Sequence, residues 1–442
     1  MNPEVNQNQA PKYWDVVFHS VITFLGQSLM QVVDLIFCRD LGSLASATVG
    51  TATSFLAWFI ILGMGLVSSL EYLIPHSLGA KNEKKAHEYF YAGLFVIALV
   101  SMVSTAGLIL VAKLSPLYGM NPEIVAPVQQ FCNIVSLSYL PVFLVPLFRI
   151  ELQARGYPNV TTEALLYGNI LNVFLNWVLV LGHLGCPALG LMGSAYANVL
   201  SRFAIFFYLF YRLYRARRGY AIQMKTRDIP IKTRAIEILK MGAPSSLHMM
   251  FEVGAFIFVG ALASRLSSHE NAAHAIAISI ASFVFMIPAG MSSAAATTMS
   301  RALGERKREL SITLGRNTIL LGLGYASLGS LIFLLARYPI VHAYTSDPDT
   351  LRMGAKLILI AAIFQFGDAM QVILAGCLRG LGETRVQATM NAIGHWLIGI
   401  PVGVVLAFHL HQGIVGLWIG LCIGLFTVAG LLYSRYQKLA KT

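Results

Sequence analysis

Three carboxylates interrupt stretches of the sequence that otherwise carry almost no charge. Asp34 lies in MQVVDLIFC, Glu252 ends HMMFE, and Asp368 lies in FGDAMQVILAG. If these stretches cross a membrane, each ionised acid costs about 3 kcal/mol at the bilayer centre, so it is expected to line a pathway or cavity. Such an acid must be protonated, bind a cation or face water. Because these states can exchange, the three acids indicate a cation-coupled process.

Amide side chains form a second polar feature. The segment NILNVFLNW places Asn169, Asn172 and Asn176 at spacings of three and four, on one face of a helix. These amides could share a proton or a substrate amine with Asp34. They could equally bond neighbouring helices, which contributes about 0.6 to 2 kcal/mol per bond in a membrane. The spacing leaves both roles open.

Two histidines lie within the apolar stretches of the second half of the chain. His248 precedes Glu252 by four residues and shares its helix face, and His395 lies in a later apolar stretch. A lone histidine is more typical of a packing or interfacial position than of a proton relay. We expect no Lys or Arg at the depth of the three acids.

The elements that carry these residues are apolar and long. Hydrophobic residues make up 56% of the 442 residues and charged residues 12%, about half the share of charge in soluble domains. Twelve apolar stretches are each long enough to cross a bilayer as a helix, which predicts an all-α integral membrane protein without a soluble domain. Their approximate ranges are 14–38, 50–74, 89–112, 128–150, 163–183, 190–213, 236–264, 272–296, 315–337, 354–377, 387–411 and 413–434.

Composition also excludes several classes of protein. The five cysteines show no CxxC spacing, so we expect neither disulfides nor a cysteine metal site, and no cofactor. The polar residues 1–12 lack a basic region followed by a cleavage site, so the first span is expected to stay in the membrane. The net charge of +12 falls in short loops beside the spans, where it sets topology rather than binding nucleic acid.

The chain also repeats itself. RGYPNV at 155–160 parallels RGLGET at 379–384, and GLMGSAYA at 190–197 parallels GIVGLWIG at 413–420. This predicts two pseudo-symmetric six-helix lobes, a plan in which transporters bind substrate between the repeats. Basic residues collect in alternate loops, which predicts cytoplasmic termini. The expected domains are an N-lobe at 1–214, a basic cytoplasmic linker at 215–235 and a C-lobe at 236–442.

Together these segments resemble the multidrug and toxic compound extrusion (MATE) family, closest to its NorM-like branch. The resemblance rests on the acid of span 1, QARGYPN, LNVFLNW, EVGAF and DAMQVILAGCLRGLGET, and it covers essentially the whole chain. It implies a V-shaped pair of six-helix bundles with a central cavity. It also implies export of organic cations in exchange for Na⁺ or H⁺.

The resemblance also implies roles for single residues. Asp34 matches the essential acid of the N-lobe, with Asn172 and Asn176 beside it, and Glu252 and Asp368 match the acidic cation site of the C-lobe, a possible Na⁺ site. Some NorM-like members carry Tyr one turn before the span 10 acid, where this chain has Phe364. A Na⁺ shell here would therefore lack that phenolic oxygen, whereas a proton needs only a carboxylate.

The function expected from the sequence is a cation-coupled multidrug antiporter of the inner or plasma membrane. It would export amphipathic, often cationic drugs, have the lipid bilayer as its other partner, act as a monomer and bind no nucleic acid. One alternative is a flippase for lipid-linked precursors, which would be expected to place Arg or Lys in its cavity. A membrane-embedded enzyme is the other, but no catalytic constellation is visible, so we assign no catalytic residues.

Overall fold

The computed structural model describes residues 12–38, 41–218 and 229–441. Within these ranges the regular structure is helical and contains no strand. The chain divides into two compact units, Met1–Gly242 and Ala243–Thr442. Unit 1 contains α1 (Tyr13–Cys38), α2 (Ser43–Ser68), α3 (Leu70–Gly79), α4 (Glu83–Lys113), α5 (Pro122–Ser136), α6 (Tyr139–Ala154), α7 (Asn159–Leu179), α8 (Leu191–Arg218) and the start of α9 (Ile231–Ala263).

The second unit begins within α9 and is built around one long central helix, α12. Its other elements pack along α12 or along the last helix, α15, and two short π-helices interrupt the segment before α15. The elements are α10 (Ser268–Gly304), α11 (Arg308–His342), α12 (Pro348–Gly380), α13 (Arg385–Asn391), a π-helix (Ala392–Gly399), α14 (Ile400–Val404), a second π-helix (Val405–His409) and α15 (Gly413–Lys441).

Helix length and hydropathy agree with the predicted spans. The described residues contain ten stretches that are long and apolar enough to cross a membrane. Two further helices, α7 with 21 residues and α8 with 28, are long enough to cross but carry more polar side chains. The predicted fold class, an all-helical membrane protein with twelve spans, is confirmed. The bounds predicted for the lobes and linker stay a prediction, and residues 219–228 of that linker lie outside the described residues.

Two predicted spans are each split into a pair of helices, and serine hydroxyls bond backbone carbonyls at both breaks. Ser68 and Ser69 donate to carbonyls three residues earlier, at 2.8 and 2.7 Å, where α2 gives way to α3. Ser136 and Ser138 do the same at 2.8 and 2.7 Å between α5 and α6. A hydroxyl that takes a backbone carbonyl competes with the helical hydrogen bond, so the helix bends or breaks there.

Glycines let α15 lie directly against the segment that contains α14. A Cβ added at Gly420 would lie 2.4 Å from the Cα of Gly403 and 2.6 Å from the carbonyl oxygen of Gly399. Gly424 and Gly394 meet in the same way one turn further along. Small residues at such a contact allow the backbones to approach and gain van der Waals contact, which drives helix association in membranes.

We expect Gly420→Ala to destabilise unit 2 by about 1 to 3 kcal/mol, because the new methyl group would overlap backbone atoms that cannot rotate away. The measurement is the thermal midpoint of the purified protein in detergent, followed by tryptophan fluorescence. Gly430→Ala is the matched control in the same helix, since a Cβ there meets nothing within 4 Å. Its midpoint should stay or rise, because alanine favours helix. Equal midpoints for the two variants would contradict the close contact.

Candidate functional site

Helices α1 and α7 lie side by side in a fixed register, joined by polar contacts along their length. The ring of His19 contacts the hydroxyl of Thr162 at 2.9 Å, and Asn169 donates to the carbonyl of Gly26 at 3.0 Å. Both pairs are separated by 143 residues in the sequence, so the two helices run in the same direction. Continuing this register brings Asp34 to the last asparagines of α7.

Three amides surround the carboxylate of Asp34. Asn176 donates to Oδ1 at 3.0 Å and Asn172 donates to the same oxygen at 3.4 Å. Asn198 of α8 donates to Oδ2. Asn172 and Asn176 are fully buried, and Asp34 and Asn198 are partly buried. The structure therefore places the predicted pair of asparagines on the acid, together with a third amide that the sequence analysis did not identify.

The oxygen atoms of these three amides are a separate feature of the site. In the described part of the chain, the buried Oδ1 atoms of Asn172, Asn176 and Asn198 accept no hydrogen bond. A buried polar atom without a partner is costly, about 1 to 3 kcal/mol, and calls for an explanation. An amide that rotated by half a turn would present its oxygen to the centre of the site. The cluster can therefore act as a set of donors to a carboxylate or as a set of acceptors for a cation.

Asn169 does not belong to this cluster. Its amide donates to the backbone carbonyls of Gly26 and Leu165, at 3.0 and 2.8 Å, and has no contact with Asp34. The expected stripe of three asparagines is thus divided by role. Asn169 fixes α7 against α1, as the helix-bonding alternative describes, whereas Asn172 and Asn176 reach the acid.

The expectation that no basic residue lies near the acids is wrong. Arg202 of α8 follows Asn198 by one turn and is close enough to Asp34 for their charges to interact. Its Nη1 donates to the hydroxyl of Ser138 at 2.7 Å. In unit 2 the charge of Arg379 likewise acts on Glu252. Arg202 lies within the predicted span 190–213 and was overlooked there, whereas Arg379 lies just beyond the predicted span 354–377 and was taken as part of a basic loop.

Unit 2 brings the two remaining acids together. Glu252 of α9 and Asp368 of α12 are 8% and 6% exposed, and their charges act on each other. Gln371, one turn after Asp368, lies beside Glu252 and holds the ring of His395 at 3.2 Å through its Oε1. Two buried carboxylates this close repel each other when both are ionised, so a proton or a cation between them lowers the energy of the pair.

Phe364 lies one turn before Asp368 in α12 and packs against Trp418 and Phe256, with ring centroids 5.5 and 6.0 Å apart. Its ring offers no oxygen ligand, and hard cations such as Na⁺ prefer several. The described residues contain no group of three or more His, Cys, Asp or Glu side chains that could hold a metal ion.

Several polar residues near the acids were missed by sequence reasoning. Asn198 is a single amide in its span, so no periodic stripe marks it, and its approach to Asp34 depends on how α8 packs. Gln371 and Asn391 were also missed, although each is a fully buried polar residue within an apolar stretch. A search for every amide in an apolar span, not only repeated ones, would have found all three.

Comparisons with known proteins agree with this architecture. The MatE family model matches residues 20–178 and 244–405. The probable multidrug resistance protein NorM of Xylella fastidiosa (strain 9a5c) is 32% identical over 406 residues, which is 90% of this chain and 85% of that protein. The multidrug resistance protein NorM of Vibrio vulnificus (strain YJ016) is 30% identical over 428 residues, 95% of this chain and 93% of that protein.

Solved structures share the fold at lower sequence identity. The crystal structure of the eukaryotic MATE transporter AtDTX14 matches with a TM-score of 0.87 and 20% identity, covering 97% of both chains. A multidrug resistance MATE family transporter in an outward-facing conformation matches with a TM-score of 0.88 and 20% identity, covering 100% of both. These structures support the arrangement of the helices.

Proposed function

Since the chain belongs to the MatE family, we propose that it is a multidrug antiporter that exports amphipathic, often cationic small molecules in exchange for Na⁺ or H⁺. The observation that carries the proposal is the Asp34 site, a carboxylate ringed by three amides whose oxygens have no partner among the described residues. Such a site can accept a proton or a substrate ammonium group. Multidrug resistance relatives at about 30% identity support the substrate class.

The two units are assigned different tasks. In unit 1, Asp34 with Asn172, Asn176 and Asn198 would bind the drug or a proton, and one negative charge cannot fully neutralise both. Competition between the two would then couple release of the drug to uptake of the proton by a shift between conformations. In unit 2, Glu252 and Asp368 would bind the coupling cation. Phe364, one turn before Asp368, has no phenolic oxygen to offer, which supports a proton over Na⁺.

The flippase alternative depends on the basic residues. Arg202 could in principle hold a phosphate, which favours guanidinium partners. Its charge faces Asp34, however, and the buried Arg149 is paired with Glu71 at 3.3 Å. Neither arginine therefore leaves a net positive site in unit 1. The acids of unit 2 also favour a cationic over an anionic cargo.

The test is transport by the purified protein in liposomes. A fluorescent cation such as ethidium is offered while a Na⁺ gradient and a pH gradient are imposed separately. We expect one of the two gradients to drive ethidium movement against its own gradient, and empty liposomes to show none. Movement under neither gradient would overturn antiport, and movement of a labelled lipid-linked pyrophosphate instead would support the flippase.

The proposal includes a location in the inner or plasma membrane, a monomer and cytoplasmic termini. We expect single cysteines at Lys84, exposed in the first turn of α4, and at Lys307, exposed in the loop before α11, to react with an impermeant reagent only from the inside. A cysteine at the exposed Ser346 is the control and should react from outside. The background lacks the five native cysteines. Labelling of Lys84→Cys or Lys307→Cys from outside would overturn this topology.

A further inference from the structure

A buried histidine lies against the acidic pair of unit 2. The Nε2 atom of His248 is 3.6 Å from Oε2 of Glu252, one turn along α9. His248 is 3% exposed and Glu252 is 8% exposed, so water does not screen this contact. At 3.6 Å the two atoms attract each other electrostatically, and a small rotation of the Glu252 side chain would bring them within hydrogen-bond distance.

The opposite nitrogen of the ring is held by α13. The amide Nδ2 of Asn391 lies 3.3 Å from Nδ1 of His248, and the carbonyl oxygen of Gln387 lies 3.4 Å from the same atom. The carbonyl of Gln387 belongs to a helix, whose backbone supplies it with a donor. The Asn391 amide nitrogen can donate only to an unprotonated Nδ1, whereas the Gln387 carbonyl could accept only from a protonated one, so the two contacts select opposite tautomers. Only the Asn391 pairing leaves the hydrogen of the neutral ring on Nε2, where it faces Oε2 of Glu252.

We propose that His248 is a positioning residue for the coupling site: Asn391 fixes its tautomer, and the Nε2 hydrogen holds Oε2 of Glu252 so that Oε1 is left for the coupling cation. This inference rests on the proposed coupling role of Glu252 and Asp368. A histidine oriented by a second group and holding a functional carboxylate is a common arrangement, since outer partners set the tautomer and the ring orientation.

The tautomer is tested without transport. The protein labelled with ¹⁵N-histidine is reconstituted in bilayers, and the His248 signals are assigned by difference from the unlabelled position in His248→Gln. We expect the hydrogen on Nε2 in the parent. Asn391→Asp offers only acceptors to Nδ1, so its spectrum should show the hydrogen moved to Nδ1. A parent spectrum with the hydrogen on Nδ1 would overturn the proposal.

The positioning role is tested by transport kinetics. His248→Leu and Asn391→Asp should raise the coupling-cation concentration at half-maximal transport at least tenfold, with a smaller effect on the maximal rate. His248→Gln should restore it to within about threefold of the parent, because the glutamine amide nitrogen can occupy the place of Nε2. His248→Asn should not restore this concentration, because the asparagine side chain is too short to reach Glu252. His342→Leu, at an exposed histidine of α11, is the control.

The outcomes separate the two proposals. A parent that shows no ion-driven transport would overturn the proposed function, while the ¹⁵N spectrum still decides the His248 contact. If the parent is ion-driven and His248→Leu keeps its half-saturating concentration, His248 has no positioning role. If His248→Leu and His248→Gln are impaired equally, the ring matters only for packing. Membrane abundance and the thermal midpoint of each variant exclude misfolding.

Discussion

Asp34→Asn is expected to reach the membrane at parental levels and to lose ion-driven export, by at least a hundredfold. The substitution removes one negative charge and hardly changes the volume of the side chain. A new amide would oppose the amide donors of Asn176 and Asn198. These amides can rotate, however, because their oxygens have no other partner in the described part of the chain. Folding should therefore survive while the charge that binds a cation is lost.

Binding measurements separate this mechanism from a structural role. Drug binding by the purified parent should depend on pH between about 5 and 8, because drug and proton compete for one carboxylate. Asp34→Asn should bind weakly and without that dependence. Asn169→Ala is the matched control on the same face of α7, since Asn169 bonds Gly26 and not Asp34. An Asp34→Asn variant with parental export or an unchanged pH dependence would remove Asp34 from the mechanism.

Glu252→Gln and Asp368→Asn should each abolish gradient-driven export while leaving drug binding largely intact. The two acids act on each other within unit 2, so neutralising either one removes the pair that holds the coupling cation. Because they work as a unit, the double variant should be no worse than either single variant. The measurement is ethidium transport in liposomes under each imposed gradient, beside equilibrium drug binding.

The control for this pair is an acid that lies elsewhere. Glu123, exposed at the start of α5, can be changed to Gln with no expected effect on either measurement. Normal export by both Glu252→Gln and Asp368→Asn would show that coupling does not take place at this pair. Loss of drug binding together with export would instead indicate that the pair binds substrate.

The twelve-span fold could be predicted from the sequence, because the hydropathy and length of a span depend on that span alone. The helix break at Ser69 was not predicted, because it arises where a hydroxyl competes locally with the helical bonds. Asn172 and Asn176 could be predicted, since a repeated residue at helical spacing marks a face. Asn198 could not, because its approach to Asp34 is fixed by the packing of α8 against α1.

The contacts of His248 show the same limit in unit 2. Its spacing from Glu252 is visible in the sequence, since both lie on one face of α9. Its partner Asn391 is 143 residues away, and only the packed helices bring the two together. The local sequence pattern thus identified the acids and the residues on the same helix face or the neighbouring stripe. The remaining contacts, those of Asn198 and Asn391, come from the packing of helices that are distant in the sequence.

The two π-helices on either side of Ile400–Val404 allow this part of unit 2 to change its hydrogen-bond register, whereas α12 has no such interruption. Each π-helical stretch, Ala392–Gly399 and Val405–His409, differs from an α-helix in its hydrogen-bond register. If such a stretch migrates along the chain, each residue that it passes turns by about 100° and shifts by about 1.5 Å, while the residues beyond it stay in place. Only a few hydrogen bonds need to exchange at each step, and neither end of the helix has to move. Individual residues of this segment can therefore change the face they present while the ends of the helix stay fixed.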